Sequence, residues 1–228
     1  WRKAEVMTAL LKHSALSGVY RMNGAKTTTV AGWEIAESFG DTSREQRQLA
    51  EGAVLVDWSH IGKLALSRGD AAAVAEQGIS GVAKAAVLGT TGNQDQVALR
   101  LTENDYQLLC QPGQEQALLE KLDSAKSTVT DSTGALACFA LGGPRRDEVL
   151  ERSTAVDLRR DKVVPGSVIQ LTIHTIHCTL YRTENLEIFT HSRTLSESLY
   201  DGLMDVGMGV GLVPAGLGTI PVSFEKEK

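Results

Sequence analysis

From about residue 61 onward, the chain repeats one pattern of strands and helices, and this repetition limits the folds it can adopt. The first copy predicts strands over 63–67, 83–88, 96–101 and 105–110, with helices over 70–76 and 114–122. The second copy predicts strands over 136–141, 167–181 and 187–190, with helices over 147–151 and 195–204. Equivalent pieces lie about 75 to 80 residues apart, whereas solenoid repeats have periods of about 20 to 50 residues. The pattern therefore predicts a duplicated subdomain of βαββα type, although unrelated strand–helix units can also resemble each other by chance.

Two such halves place helices on one face of mostly antiparallel sheets, which is an α+β architecture. We expect a single domain with four parts: a leading segment 1–60, a first half 61–124, a second half 125–218 and a tail 219–228. The seam between the halves is the expected location of a small-molecule pocket, because pockets form preferentially between subdomains.

The leading segment contains three predicted elements. Apolar residues at helical spacing predict an amphipathic helix over 2–13. The threonine-rich stretch 26–30 is typical of a strand, because β-branched residues suit a pleated surface. Asp41 and the two residues after it offer capping oxygens to a helix over 44–50, which ends at Gly52.

Charge and cysteine content narrow the function classes. A net charge of −5 and 5% aromatic residues disfavour nucleic-acid binding, which depends on clustered Lys and Arg. No apolar stretch of about 18 residues is present to span a membrane. The three cysteines lie in apolar runs and the start lacks the apolar core of a signal peptide. We therefore expect a cytoplasmic protein without a disulfide framework.

The densest group of metal-ligand residue types is His174, His177 and Cys178. If 168–181 is one strand, residues three apart face opposite sides of it. His174 and Cys178 then share a face but lie roughly 13 Å apart, at about 3.3 Å per residue. This geometry predicts no metal site.

Two carboxylates stand out as candidates for chemistry. Asp95 begins a strand after a polar turn, and Glu187 lies between large apolar residues. Asp95 could equally be an ordinary residue at a strand start. Glu187 faces either solvent or a polar cleft, and the pattern alone leaves both open.

Several motifs together resemble one known family. The run Asp57-Trp58-Ser59-His60-Ile61-Gly62-Lys63 resembles the Asp-x-Ser-His-x-Gly-Lys signature of the tetrahydrofolate-dependent aminomethyltransferases, such as the T-protein of glycine cleavage. The segments 31–34 and 211–218 resemble that family's Ala-Gly-Trp and Gly-Leu-x-Pro-Ala-Gly-Leu-Gly segments. The middle of the chain, over 129–166, resembles the gamma subunit of heterotetrameric sarcosine oxidase, a shorter relative. The family's folate-binding domain is also a duplicated α+β unit.

The resemblance implies roles for five residues. Asp95 matches one of two paired aspartates and would be the catalytic carboxylate, although its neighbour here is Gln94. Glu187 matches the glutamate that holds the amino group and ring nitrogen of the pterin. If 186–190 packs as in the family, Glu187 and Ile188 lie on opposite faces of this strand and Glu187 faces the seam between the halves. Ile61 matches an apolar residue that packs on the pterin, and Trp58 and Tyr181 complete the predicted folate-binding set.

The sequence also departs from the family pattern. The family's Gly-Tyr-Thr-Gly-Glu loop is replaced by Thr179-Leu180-Tyr181-Arg182-Thr183, and Thr219-Ile220-Pro221 stands where Ala-Arg-Asp is expected. We also expect the chain to lack the β-barrel domain that closes the family's active site. The resemblance thus implies an accessory or gamma-like subunit in one-carbon or amine-oxidising metabolism, with tetrahydrofolate as cofactor and larger amine-oxidase or demethylase subunits as partners. Two alternatives stay open: a self-sufficient tetrahydrofolate-dependent methyl- or aminomethyl-transferase, and a scaffold without a ligand.

Overall fold

Two β-sheets packed face to face form the centre of the structure, a computed structural model that describes residues 10–224. An apolar cluster that includes Val54, Leu109 and Ile188 fills the space between the sheets. Helices cover the outer face of each sheet, so the chain folds into four layers in the order helix, sheet, sheet, helix.

The strands are β1 (Lys12–His13), β2 (Lys26–Val30), β3 (Trp33–Ser38), β4 (Ala53–Asp57), β5 (Gly62–Ser67), β6 (Thr90–Gly92), β7 (Gln96–Arg100), β8 (Tyr106–Cys110), β9 (Thr128–Asp131), β10 (Leu136–Gly142), β11 (Val168–Ile173), β12 (Ile176–Arg182), β13 (Leu186–Ser192) and β14 (Leu212–Ala215). The α-helices are α1 (Ser17–Met22), α2 (Thr42–Glu51), α3 (Ala71–Gly78), α4 (Glu115–Leu119), α5 (Arg146–Glu151) and α6 (Ser196–Gly207). Short 3₁₀ turns occupy Val82–Lys84, Arg193–Leu195 and Met208–Val210. No helix in the described part of the chain is long and apolar enough to cross a membrane.

The sheet topology confirms the predicted duplication. The five-stranded sheet has the order β6-β7-β8-β5-β9, and the six-stranded sheet has the order β11-β12-β13-β10-β4-β14. The two orders correspond strand by strand, from β6 and β11 at one edge to β9 and β14 at the other, except that β4 is inserted between β10 and β14 in the second sheet. Helix α3 corresponds to α5, and helix α4 corresponds to α6. All pairs in these two sheets are antiparallel except β14 with β4. Each half has three consecutive strands between its helices, so the unit is βαβββα rather than the predicted βαββα.

The halves do not follow the predicted boundaries along the chain. Strand β4, from the leading segment, lies in the six-stranded sheet between β10 and β14. Strand β9, from the predicted second half, pairs with β5 in the five-stranded sheet. A third, small sheet of order β1-β3-β2 is formed within the leading segment.

The predicted strand over 167–181 is wrong as a single element. It is a hairpin of β11 and β12, which turns at His174 and Thr175, and His174 adopts a left-handed φ of 52°. The distance argument for His174 and Cys178 along a continuous strand therefore does not apply. Within residues 10–224, no three His, Cys, Asp or Glu side chains are grouped so that they could hold a metal ion.

Two further element predictions differ from the structure. Residues 83–88 form no strand: they begin in a 3₁₀ turn, in keeping with three alanines and a lysine, which are helix formers. Most of the helix predicted over 2–13 lies outside the described residues, and its last two residues form β1. The strand over 26–30 and the helix capped by Asp41 are confirmed, and the Asp41 side chain accepts a hydrogen bond from the backbone N–H of Arg44 (2.9 Å).

Close backbone contact at Gly216 anchors the small sheet to the main one. A Cβ at this position would lie 2.1 Å from the carbonyl carbon and oxygen of Glu37. The next residue, Leu217, donates its backbone N–H to the carbonyl of Ala36 (3.0 Å). Only glycine fits between these two segments.

We expect Gly216→Ala to lower the free energy of unfolding by about 2 kcal/mol, because backbone atoms must move apart to admit the methyl group. Gly134→Ala is the matched control, since a Cβ there meets nothing within 4 Å. Urea unfolding of both variants measures the difference. Equal stability of the two variants would contradict the close approach.

Candidate functional site

The turn between β4 and β5 carries the chain from one sheet to the other and is held by a buried carboxylate. Asp57, at the end of β4, accepts hydrogen bonds from the hydroxyl of Tyr20 (2.6 Å), the backbone N–H of Ser59 (2.8 Å) and the hydroxyl of Ser14. A buried carboxylate is tolerated when its oxygens have such partners. The first residue of the Asp-x-Ser-His motif thus fixes the start of the crossover.

Lys63 holds the same turn from its other end. Its ammonium group is fully buried and donates to the carbonyl oxygens of Ser59 (2.9 Å) and Ile61 (2.7 Å). Burial lowers the pKa of Lys63 to about 8, because desolvation disfavours the charged form. The motif therefore has a direct structural role at the crossing between the sheets.

Three of the predicted site residues, Trp58, Ile61 and Tyr181, meet in the apolar core between the two sheets. Trp58 and Ile61 are fully buried, and Tyr181 is 1% exposed. The indole N–H of Trp58 donates to the carbonyl of Ile220 (3.1 Å), and its ring meets the Phe224 ring edge-on at 6.2 Å between centroids. The structure brings these three side chains together, with the segment 220–224 packed over them.

Glu187 lies on the other face of the six-stranded sheet. Its carboxylate is fully buried, and its Oε1 accepts a hydrogen bond from Nε of Arg182 (2.7 Å), the residue directly opposite it in β12. The Arg182 guanidinium is also fully buried, and its Nη1 donates to the carbonyl oxygens of Leu158 (2.6 Å) and Val163 (3.0 Å). The carboxylate therefore has a guanidinium partner from its own chain.

A second arginine completes this buried charge cluster. Nε of Arg146 lies 3.9 Å from Oε1 of Glu187, and its Nη1 donates to the carbonyl of Gly143 (2.9 Å). Burial raises the pKa of Glu187 to about 7, and the charges of Arg182 and Arg146 oppose that rise. Nε of Arg146, Nη2 of Arg182 and Oε2 of Glu187 have no hydrogen-bond partner among the described residues.

The expectation that Glu187 faces the seam between the halves is wrong. Glu187 and Leu141 are register partners, and Leu141 belongs to the core between the six-stranded sheet and its helices. Ile188, one residue on, points to the opposite side and joins the inter-sheet core. The sheet itself therefore separates Glu187 from Trp58, Ile61 and Tyr181.

Asp95 lies at neither place. It is an exposed residue of the turn between β6 and β7, and its backbone N–H donates to the side-chain oxygen of Asn93 (2.9 Å). It borders a pocket of about 320 Å³ together with Gln111, Gln114 and Lys121. A catalytic role for Asp95 stays a prediction, and the described chain places this carboxylate on a different sheet from Glu187.

Sequence reasoning missed Arg182 and Arg146 as partners of Glu187. A signal for Arg182 was present, because the segment from Arg182 to Glu187 reads as two strand ends joined by a polar turn. Opposite charges directly across a hairpin form a typical stabilising pair. Arg146 carried no such signal, because it approaches from helix α5, which is distant along the chain.

The family model described as the GCVT N-terminal domain matches residues 16–227. The chain belongs to this family. Among curated relatives, the aminomethyltransferase of Streptomyces avermitilis is 27% identical over 224 residues, and that of Acidobacterium capsulatum is 29% identical over 231 residues. These alignments cover 90% and 92% of this chain but only 60% and 61% of the relatives, so the chain spans about three fifths of their length.

Two solved structures share the fold. The glycine cleavage system aminomethyltransferase T from Bartonella henselae has a TM-score of 0.75 at 18% identity, and the match covers 92% of this chain and 60% of that one. A chain of the heterotetrameric sarcosine oxidase from Corynebacterium sp. U-96 has a TM-score of 0.63 at 20% identity, and the match covers 75% of this chain and 93% of that one. The predicted α+β fold with mostly antiparallel sheets is confirmed.

Replacement of Glu187 by Leu should destabilise the protein strongly. The change removes the oxygen that accepts a hydrogen bond from Arg182 and leaves that buried guanidinium without this partner, which costs about 3 kcal/mol or more. Glu184→Leu, in the exposed turn of the same hairpin, is the matched control and should change stability little. Urea unfolding at pH 8 measures both variants. A Glu187→Leu variant as stable as the Glu184→Leu variant would contradict the buried ion pair.

The burial of Lys63 predicts a pH dependence of stability. The unfolded chain keeps the Lys63 proton up to the ordinary pKa of 10.5, whereas the folded chain loses it near pH 8. Because the unfolded state binds more protons between these values, this residue's contribution to stability rises with pH across that window. Relative to Lys63→Met, the wild type should gain about 1 to 2 kcal/mol between pH 7.5 and 9.5. A stability difference that stays constant over this range would contradict the burial of the ammonium group.

Proposed function

We propose that this chain serves as an accessory, gamma-like domain in one-carbon or amine-oxidising metabolism. The observation that carries the proposal is the resident partner of Glu187. The resemblance assigns this carboxylate to recognition of the pterin, and here it is already bound by the buried Arg182 guanidinium. A domain whose ligand-recognition group is occupied by its own side chain fits an accessory role better than a self-sufficient transferase.

Tetrahydrofolate is the ligand that we propose for the Glu187 position, in competition with Arg182. The amino group and ring nitrogen of a pterin present paired donors to a carboxylate, as a guanidinium does. Arg182 is the fourth residue of the segment that replaces the family's Gly-Tyr-Thr-Gly-Glu loop, so it stands in place of a glycine. A glycine there leaves the carboxylate open, and an arginine supplies the matching donors from within.

The positions of the other predicted site residues support the same proposal. The apolar residues proposed to pack on the pterin, Trp58 and Ile61, lie in the inter-sheet core, across the sheet from Glu187. Asp95, the proposed catalytic carboxylate, is exposed on a turn of the other sheet. Near-attack geometry requires substrate and catalytic group to be held together. In this conformation the proposed groups do not surround one common space.

The proposed partners are the larger subunits of an amine-oxidase or demethylase assembly. The similarity to a chain of a heterotetrameric sarcosine oxidase supports this part, since that match covers 93% of the chain concerned. The net charge of −5 disfavours nucleic acid as an alternative partner.

Calorimetric titration with tetrahydrofolate tests the ligand proposal. We expect the wild type to bind weakly and Arg182→Gly to bind at least about tenfold more tightly, because removal of the competing guanidinium frees the Glu187 carboxyl for the paired donors of the pterin, with each hydrogen bond worth about 0.5 to 1.5 kcal/mol. Arg182→Met is the second variant, since it keeps an unbranched apolar side chain in the core but has no donor that could compete for Glu187. Arg159→Gln, at an exposed arginine, is the control and should bind as the wild type does.

If neither Arg182 variant binds tetrahydrofolate while both remain folded, the ligand proposal is wrong and the scaffold alternative stands. Binding that is equally tight in the wild type and the variants would show that Arg182 does not compete.

An activity measurement separates the accessory role from the transferase alternative. We expect the chain alone to show no tetrahydrofolate-dependent aminomethyl or methyl transfer. Turnover by the isolated chain that Asp95→Asn abolishes, with folding unchanged, would instead establish a self-sufficient transferase and the catalytic role of Asp95.

A further inference from the structure

A cleft of about 620 Å³ opens between the two main sheets, on the side away from Glu187. Its walls come from β11, β12 and β13 of one sheet and from β5 and β8 of the other. The sequence predicts a pocket at this seam, but it does not predict which residues line it. None of the five predicted site residues is part of this cleft.

The cleft exists because three adjacent strands change character along their length. On the face that meets the other sheet, each strand has a buried apolar or aromatic residue at one end and polar residues toward the other end. The three series are Val168, Gln170 and Thr172; Tyr181, Thr179 and His177; and Ile188, Thr190 and Ser192. The apolar ends of the three strands pack against the other sheet, because burial of apolar surface is favourable. The polar ends do not, because burying hydroxyl and amide groups without hydrogen-bond partners costs free energy. The sheets therefore stay apart over the polar ends.

The polar groups form an ordered row at the centre of the cleft. Gln170 lies opposite Thr179, and Thr179 lies opposite Thr190, so the row crosses three strands in register. From the other sheet, Gln107 meets this row and accepts a hydrogen bond from the Thr190 hydroxyl (3.0 Å). Thr190 and Gln107 are 4% and 5% exposed, and they form the floor. Amide and hydroxyl groups together provide both donors and acceptors.

The lining defines the class of molecule that fits. Among the residues that the structure describes, no Asp, Glu, Lys or Arg lines the cleft, so a charged ligand would lose its hydration without gaining a counter-charge. Small side chains such as Ala65 and Thr179 leave a gap between the two facing sheets, and a flat molecule suits such a gap. The volume lies within the range of about 300 to 1,000 Å³ that is typical of small-molecule sites.

We infer that this cleft binds an uncharged, flat heterocycle whose edge carries lactam-type donors and acceptors. This edge forms hydrogen bonds with the side chains of Thr179, Thr190 and Gln107, and the exposed His177 lies at the mouth of the cleft. The inference depends only on the seam between the sheets and is independent of Glu187 and Arg182.

An NMR titration with hypoxanthine, a neutral lactam heterocycle, tests the site in the ¹⁵N-labelled chain. We expect saturable shifts of the backbone amides near Gln170, Thr179, Thr190 and Gln107. Thr190→Val should weaken binding about fivefold, the effect of one lost hydrogen bond. Thr29→Val, the same change on an exposed strand of the small sheet, is the control and should bind as the wild type does. Orotate, an anionic heterocycle of similar size, should cause no saturable shifts at these amides.

Thr179→Val provides a second variant if Thr190→Val disturbs Gln107 or the fold, and it should also weaken binding. The inference is overturned if hypoxanthine causes no saturable shift in the cleft, if it shifts amides elsewhere, or if orotate binds equally well. Hypoxanthine binding that is unchanged in both folded threonine variants would equally overturn it.

Discussion

A charged group that is removed from water must find its partners within the protein, and the carboxylate of Glu187 imposes this requirement on a large part of the six-stranded sheet. Its neighbour Arg182 supplies the ion pair and also donates to two carbonyls of the loop between α5 and β11. Arg146 approaches the same carboxylate while it caps the carbonyl of Gly143. One carboxylate thus organises two strands, a helix start and a long loop. Breaking such a cluster is costly, although forming it contributes little net stability.

The two faces of the six-stranded sheet therefore differ in what they bury. The outer face holds the Glu187 cluster under helices α5 and α6, within a core that is mostly apolar. The inner face is apolar at one end, where it closes over Trp58 and Ile61, and polar at the other, where the cleft opens. A duplicated fold always has a seam between its two halves. The side chains that line this seam decide whether it is filled by a core or left open as a cleft. In this chain both outcomes occur on the same strands.

Much of the fold could be predicted from local patterns. Asp41 and Gly52 mark the two ends of α2, and the repeated strands and helices after residue 61 reveal the duplication. The hairpin at His174 could not be predicted, because a left-handed conformation at a residue other than glycine leaves no turn signal in the sequence. The alternation of side chains along a strand correctly predicted that Glu187 and Ile188 lie on opposite faces of the sheet. It could not show which face meets the other sheet, since that depends on how distant segments stack.

Arg182 is the resident partner of Glu187, and the titration of the Glu187 carboxyl is the sharpest test of this pairing. Carbon-detected NMR of ¹³C-labelled protein reports the pKa of Glu187 in the wild type and in Arg182→Met. Burial should hold it near 7 in the wild type, and loss of the guanidinium should raise it further, because the charge of Arg182 opposes the effect of burial. An ordinary carboxyl pKa in the wild type, or the same value in both proteins, would contradict the claim.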